Sequence, residues 1–358
     1  MAQQQENPVT DPAILLPRDQ FAHTGAPTEW WWHVGTLKST DGKRTFGFEI
    51  NATGMLATKT APSYAFTQIE ITDVDKQQNY QKVTAGPRPD NWAQYDPTLV
   101  WFVKLGASGS DGSVNMTAIY GKPLNMAVQA LFIDVNPVTG VQTPCKISLT
   151  LAQQGLPLLV WGTGVNLVDP TAPTPITRNN YYYSLTHLQA SGTITIGSEV
   201  INVTGLTWMD HEYGAFPNGS GGNKVLWLLQ DMQLANGLHL SNYTKFGLEP
   251  KENIPMPSNA TLLVDGESVF LDTITTPMGP LYVSAKNVTY YTNFKVQFKG
   301  HPHLYFMVHA SYPNQVFRDP GGADVYEGVG TAEMIFELTQ KRKVVISSGP
   351  AWIEQNLG

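Results

Sequence analysis

The chain has 358 residues, 42% hydrophobic and 11% aromatic, with 32 Gly, 25 Pro and only 14% charged residues. That mix suits many short strands joined by tight turns and argues against a helical bundle or a disordered chain. A net charge of −7 without a basic stripe excludes nucleic acid as a natural partner, and no apolar run is long enough to span a bilayer as a helix.

The length predicts two domains. Residues 1–24 read as an N-terminal arm, extended over 1–20, and from Trp30 onward the pattern is strand, turn, strand. Turn pairs recur at Asp41-Gly42, Asp111-Gly112, Gly197-Ser198, Asn236-Gly237 and Asp265-Gly266; such pairs accept the positive φ of tight hairpin turns. Between them lie β-rich runs at 45–51, 64–72, 147–151, 192–196 and 288–298, several alternating apolar and polar residues. The Pro-rich stretch 169–177 reads as a loop, and short helical turns fit only around 323–326 and near Trp352. The Gly-rich stretch 217–223 is the best flexible joint, so the domains are expected at 25–217 and 218–358, each with about ten strands. The fold class is therefore all-β, with two tandem antiparallel barrels or sandwiches.

Familiar catalytic motifs are missing. There is no G-x-S-x-G elbow, no phosphate-binding G-x-x-x-x-G-K-[ST] loop and no H-E-x-x-H. His301, His303 and His309 have no Cys or carboxylate nearby in sequence and read as ordinary histidines, so no metal is expected. Cys145 is alone and reads as a small core residue. Asn-x-Ser/Thr occurs at Asn51, Asn115, Asn202, Asn218, Asn242, Asn259 and Asn287. With Ala2-Gln3-Gln4 readable as a mature start, a secreted or periplasmic location stands level with a cytoplasmic one.

Four motifs carry chemistry. Glu29-Trp30-Trp31-Trp32 on a strand sends Trp30 and Trp32 to one face and Trp31 to the other, so both faces must be covered. This is either core packing or a π-rich wall for a ligand, and Glu29, if buried, needs a partner. Tyr181-Tyr182-Tyr183-Ser184 leads into a second strand. In Gly205–Gly214, alternation puts Trp208, Asp210 and Glu212 on one face and His211 and Tyr213 on the other. Tyr326-Glu327-Gly328 closes the set.

Together, the E-W-W strand, the Y-Y-S strand, the W-M-D-H-E-Y-G strand, the hairpin from Trp227 to Leu240 and the Tyr326-Glu327-Gly328 element resemble the lipocalin-like superfamily of carotenoid 1,2-hydratases (hydroxyneurosporene synthases) and AttH proteins. That superfamily also holds kievitone hydratase and decalin-forming Diels–Alderases. The resemblance covers roughly residues 25–340. It implies two lipocalin-like β domains, with a ligand site in the first barrel or at the interface, and it leaves the reaction open. Where the carotenoid hydratases carry a His and a Trp, this strand has Tyr181 and Tyr183.

The expected function is a cofactor-independent hydratase, adding water to a C=C bond of an apolar isoprenoid or prenylated small molecule. Asp210 among Trp208, Tyr181 and Tyr183 would be held protonated by desolvation and deliver the proton. His211 or Glu212 would orient the water. Trp30, Trp32 and Tyr213 would complete the substrate wall and shield the cation. Two rivals stay open: a cyclase, isomerase or pericyclase folding a polyene, and a carrier without chemistry. Peripheral contact with a membrane surface is compatible with either.

Overall fold

The computed structural model describes residues 13–23, 25–59, 62–96, 100–216, 226–246, 250–318, 324–339 and 342–357. Among them, helix is confined to single turns at Arg18–Gln20, Val160–Gly162 and Pro175–Arg178. Everything else regular is antiparallel strand, as the turn pairs and alternating runs require.

The first unit contains β1 (Thr28–Ser39), β2 (Thr45–Met55), β3 (Tyr64–Asp73), β4 (Gln78–Gly86), β5 (Ala93–Asp96), β6 (Val100–Leu105) and β7 (Ser113–Ile119). It continues with β8 (Lys122–Val135), β9 (Gln142–Gln153), β10 (Leu158–Leu159), β11 (Val165–Leu167), β12 (Asn179–Ile196) and β13 (Glu199–Gly214). These make one curled sheet in the order β4-β3-β2-β1-β13-β12-β9-β8-β7-β6-β5, with β10 and β11 added to β12. The second unit is a closed eight-stranded barrel. Its strands are β14 (Leu226–Gln233), β15 (His239–Phe246), β16 (Met256–Val264), β17 (Glu267–Val283), β18 (Thr289–Phe298), β19 (Leu304–Ala310), β20 (Val325–Thr339) and β21 (Arg342–Asn356). The protein is thus nearly all-β, with two lipocalin-like units in tandem. The joint expected at 217–223, and with it the 217/218 boundary, lies outside the described residues. Trp352 sits within β21, not in a helical turn, because Trp352 and Ile353 alternate between the two sides of the barrel wall.

The arm is not simply extended. Residues 13–23 fold into the concave side of the curled sheet, with Asp19, Gln20 and Phe21 fully buried. Gln20 Nε2 reaches the sulfurs of Met126 and Met209 at 3.7 and 3.5 Å, and Trp31 Nε1 donates to the Gln20 carbonyl at 3.4 Å. The interior of the first unit is therefore filled by its own aromatics and by the arm. Each large apolar side chain so buried contributes roughly 1.5–3 kcal/mol.

The two units meet back to back. The convex face of the sheet, carrying Val34 and Trp208, packs on the outside of the barrel, carrying Val329 and Trp352. Gly47 allows this approach: a Cβ there would lie 2.5 Å from the Val329 side chain. Gln233 of the barrel donates to the Thr186 and Thr207 carbonyls at 2.7 and 2.9 Å, and Thr261 accepts from the Trp161 N–H at 3.0 Å. Asn51 and Asn242 are buried, which rules out glycosylation of these two sequons in the folded protein.

Candidate active site

A cavity of about 1120 Å³ lies between the convex face of the sheet and the outer wall of the barrel. Strand register builds its first wall in rows. Tyr182, Glu212 and Trp30 stand side by side across β12, β13 and β1, and Ser184, Asp210 and Trp32 form the next row. The barrel supplies the facing wall, with Trp227 and Leu229 from β14, Tyr243 from β15 and Glu354 from β21. Trp161 closes one side in a left-handed backbone conformation (φ 61°), its ring set edge-on to Tyr182 at 5.9 Å. A tryptophan held there is a local strain retained by the surrounding contacts.

Asp210 is 8% exposed. Ser184 Oγ and Trp208 Nε1 both donate to its Oδ1, at 2.6 and 2.7 Å. Burial pushes its carboxyl up to about 6, against hydrogen bonds from Ser184, Trp208 and Tyr182 that favour the anion. Across the cavity, Trp227 Nε1 donates to Glu354 Oε1 at 2.5 Å. Burial pushes Glu354 up to about 8; the Trp227 bond opposes this and the charge of Asp210 adds to it. Glu212 and Asp231 are raised well above the ordinary carboxylate range, first by burial and also by the charge of Asp210. Among the described residues no cation relieves the cluster. Among the described lining residues Lys299 alone is basic, and its Nζ lies 3.2 Å from Asp272.

Trp30, Trp32, Asp210 and Glu212 thus line the cavity. Trp208 lies in the packed interface beside it and reaches the site through its N–H on Asp210. Four residues proposed from the sequence face the other way. Tyr182 pairs with Glu212 and Ser184 with Asp210, so Tyr181 and Tyr183 point into the core of the first unit, as do His211 and Tyr213. His211 holds no cavity water: its Nε2 meets Glu29 Oε1 at 3.0 Å and its Nδ1 meets the Tyr183 hydroxyl at 3.0 Å. Tyr213 is stacked between His23 and Tyr181, with centroids at 3.6 and 4.9 Å.

Glu29 has the partners its burial demands. His23 Nδ1 lies 2.8 Å from Oε1, and the His23 backbone N–H donates to the same carboxylate. Among the described residues, His23, Glu29 and His211 are the one group of three potential metal ligands within 4.8 Å of one another. Their ligand atoms are already engaged with each other. His301 and His303 are exposed, and His309 Nδ1 lies 2.5 Å from Asn293 Oδ1. The sequence reading missed Tyr182, Trp227, Asp231 and Glu354. The only local signal for Glu354 is alternation in 351–354, which sets it on the face of Trp352 and away from Ala351 and Ile353.

The sequence matches the AttH-like family model over residues 7–334. The chain belongs to the AttH-like family. No curated protein sequence matches it. Among solved structures, this AttH-like chain is similar to a Nitrosomonas europaea protein described as an AttH. The TM-score is 0.73 at 20% identity, over 96% of this chain and 97% of that one. It is also similar to kievitone hydratase from Nectria haematococca, with a TM-score of 0.67 at 13% identity, over 97% and 94% of the two chains. At these identities the likeness is one of fold. No helix among the described residues of this AttH-like protein is long and apolar enough to cross a membrane.

Proposed function

We propose that this AttH-like protein is a hydratase that adds water to a C=C bond of an apolar isoprenoid or prenylated small molecule in the interface cavity. The observation that carries the reading is the pair Asp210 and Glu354. These are two carboxyls from opposite units, buried at one aromatic cavity, with proton affinities pushed to about 6 and about 8. Separated proton affinities in one site divide the roles of acid and base. Burial raises both, and the charge of Asp210 raises Glu354 further, so the proton is assigned to Glu354 beside an ionised Asp210. The sequence reading gave the proton to Asp210. Glu354 is the better holder, so in this mechanism Asp210 is the base.

The steps balance without a cofactor. The Glu354 O–H delivers its proton to the less substituted alkene carbon, and the π electrons form the C–H bond. The positive charge left on the more substituted carbon is shielded by the faces of Trp30, Trp32 and Tyr182. A water oxygen forms the C–O bond and gives its proton to Asp210, whose carboxylate Ser184 and Trp208 hold in place. One proton has then moved from Glu354 to Asp210, and its return across the cavity resets the site. The fold shared with kievitone hydratase supports this reaction class. The test is incubation with acyclic isoprenoids, prenylated phenolics and linear polyenes in ¹⁸O-water, read by mass spectrometry. One labelled oxygen in the product, lost in both Asp210→Asn and Glu354→Gln, is expected. A product of unchanged mass but altered retention would instead assign a cyclase or isomerase, and no product would leave a binding protein.

A further inference from the structure

Among its described lining residues the cavity carries carboxyls without a free cation, and that points to a ligand class beyond neutral alkenes. Asp210, Glu212 and Glu354 all line it, and the single basic lining residue among those described is engaged with Asp272 at its edge. Asp231 lies behind Asp210 and Glu354, 3% exposed, with its Oδ1 unpartnered. Glu354 is 8% exposed and lines the cavity, yet only its Oε1 has a donor, Trp227; its Oε2 meets none among the described residues. The three lining carboxyls are not arranged as a metal cage. Among the described residues, only His23, Glu29 and His211 bring three ligand atoms within 4.8 Å. What separates them is aromatic surface, including Trp30, Trp32, Tyr182, Trp227 and Tyr243.

Spaced carboxyls among aromatic faces favour a large, weakly hydrated positive charge over a small, strongly hydrated one. Each π face attracts such a cation, and the attraction grows when water is excluded. A carboxyl without a donor gains a partner when the cation arrives. We propose that the interface cavity is a receptor for organic cations. The ligand is an apolar molecule bearing a quaternary or protonated nitrogen, its charge placed between Asp210 and Glu354 and its carbon body against the tryptophans. The site shares the cavity with the proposed hydration but none of its bond-making, so either can hold without the other.

The test uses the full chain and two ligands of equal shape, benzyltrimethylammonium and its neutral carbon isostere neopentylbenzene. Binding is followed by tryptophan fluorescence and calorimetry at mildly alkaline pH and low salt. The cation should bind at least about tenfold more tightly than the isostere. The preference should collapse in Asp210→Asn/Glu354→Gln and persist in His303→Gln, at an exposed position far from the argument. Equal or weaker binding of the cation by the wild-type protein overturns the proposal, whether or not the variants fold. So does a preference that survives the loss of both carboxyls. Cation binding without ¹⁸O incorporation would sink the hydratase reading alone; ¹⁸O incorporation without cation preference would sink this one alone.

Discussion

Strand β13 presents two solutions to the burial of charge, one on each of its faces. On the concave face, His211 joins His23 and Glu29 around one carboxylate, and Arg18 grips Asp19 with two bonds of 2.6 and 2.8 Å. Burial there would raise both acids, but the charge of His23 and the bonds from His211 and His23 outweigh it for Glu29. Bonds from His23 and Arg18 bring Asp19 down to about 2. On the convex face, one residue to either side, Asp210 is buried and Glu212 half-buried, neither has a cationic donor among the described residues, and both are raised. Burial therefore does not decide the state of a carboxyl in this protein; the presence of a cationic partner does. The partnered face ties the arm to the sheet, and the unpartnered face is the one the proposed chemistry uses.

The contrast can be broken most sharply at the unpartnered face. Asp210→Asn and Glu354→Gln should each lower hydration at least about a hundredfold with the fold intact, as loss of a general acid or base does. The wild-type rate should rise with pH through about 6 and fall through about 8, as Asp210 must be ionised and Glu354 protonated. A flat pH–rate profile across that range would remove the pair from the mechanism. At the partnered face, Glu29→Ala leaves two buried imidazoles without their acceptor. It should cost about 3–5 kcal/mol in denaturant unfolding while leaving the cavity's ligand affinity unchanged in the protein that remains folded.

The two faces should also respond to pH with opposite signs. The carboxyl of Asp19 is depressed to about 2, so its stabilisation is present above about pH 4 and lost as pH falls towards about 2; Glu29 is depressed too and acts in the same direction. Asp210 and Glu354 are raised, so their contribution is greatest when protonated and is lost as pH rises through about 6 and about 8. Asp210→Asn and Glu354→Gln should therefore stabilise the protein at alkaline pH, each on the order of 2 kcal/mol, and do little near pH 4. Thermal melting across pH measures this, and destabilisation at alkaline pH would contradict it. The smallest effect is expected from Trp208→Phe. It removes one donor from Asp210 and should shift the acidic limb of the rate profile upward by less than about one pH unit.

Much of this was legible in sequence where the rule is local. Alternation alone separated Trp208, Asp210 and Glu212 from His211 and Tyr213, and Trp30 and Trp32 from Trp31, and the structure keeps those separations. What failed was relating one strand to its neighbour. Tyr181 and Tyr183 were put beside Asp210, yet the β12–β13 register gives that place to Tyr182 and Ser184. A slip of one residue reverses every side chain, and nothing within Tyr181-Tyr182-Tyr183 fixes it. Glu354 was beyond reach for a different reason. It shares a cavity with Asp210 only because two sheets pack convex face to outer wall, a long-range event carried by contacts such as Gly47 against Val329. Residues 1–20 read as an extended arm from sequence, but residues 13–23 are folded into the sheet. Its burial depends on the concave mouth offered by strands far along the chain.

One consequence follows from how the barrel is sealed. β21 closes the ring by pairing with both β14 and β20, and it is this strand that carries Glu354, while β14 carries Trp227. The seam between β14 and β21 therefore runs through the carboxyl that the proposed hydration uses as its acid. Whenever it parts, Glu354 on one side and the Trp227 indole that donates to it on the other are pulled apart. Turnover in this protein should accordingly act as a gauge of ring closure, falling silent on partial opening of the second unit well before the first unit loses its core.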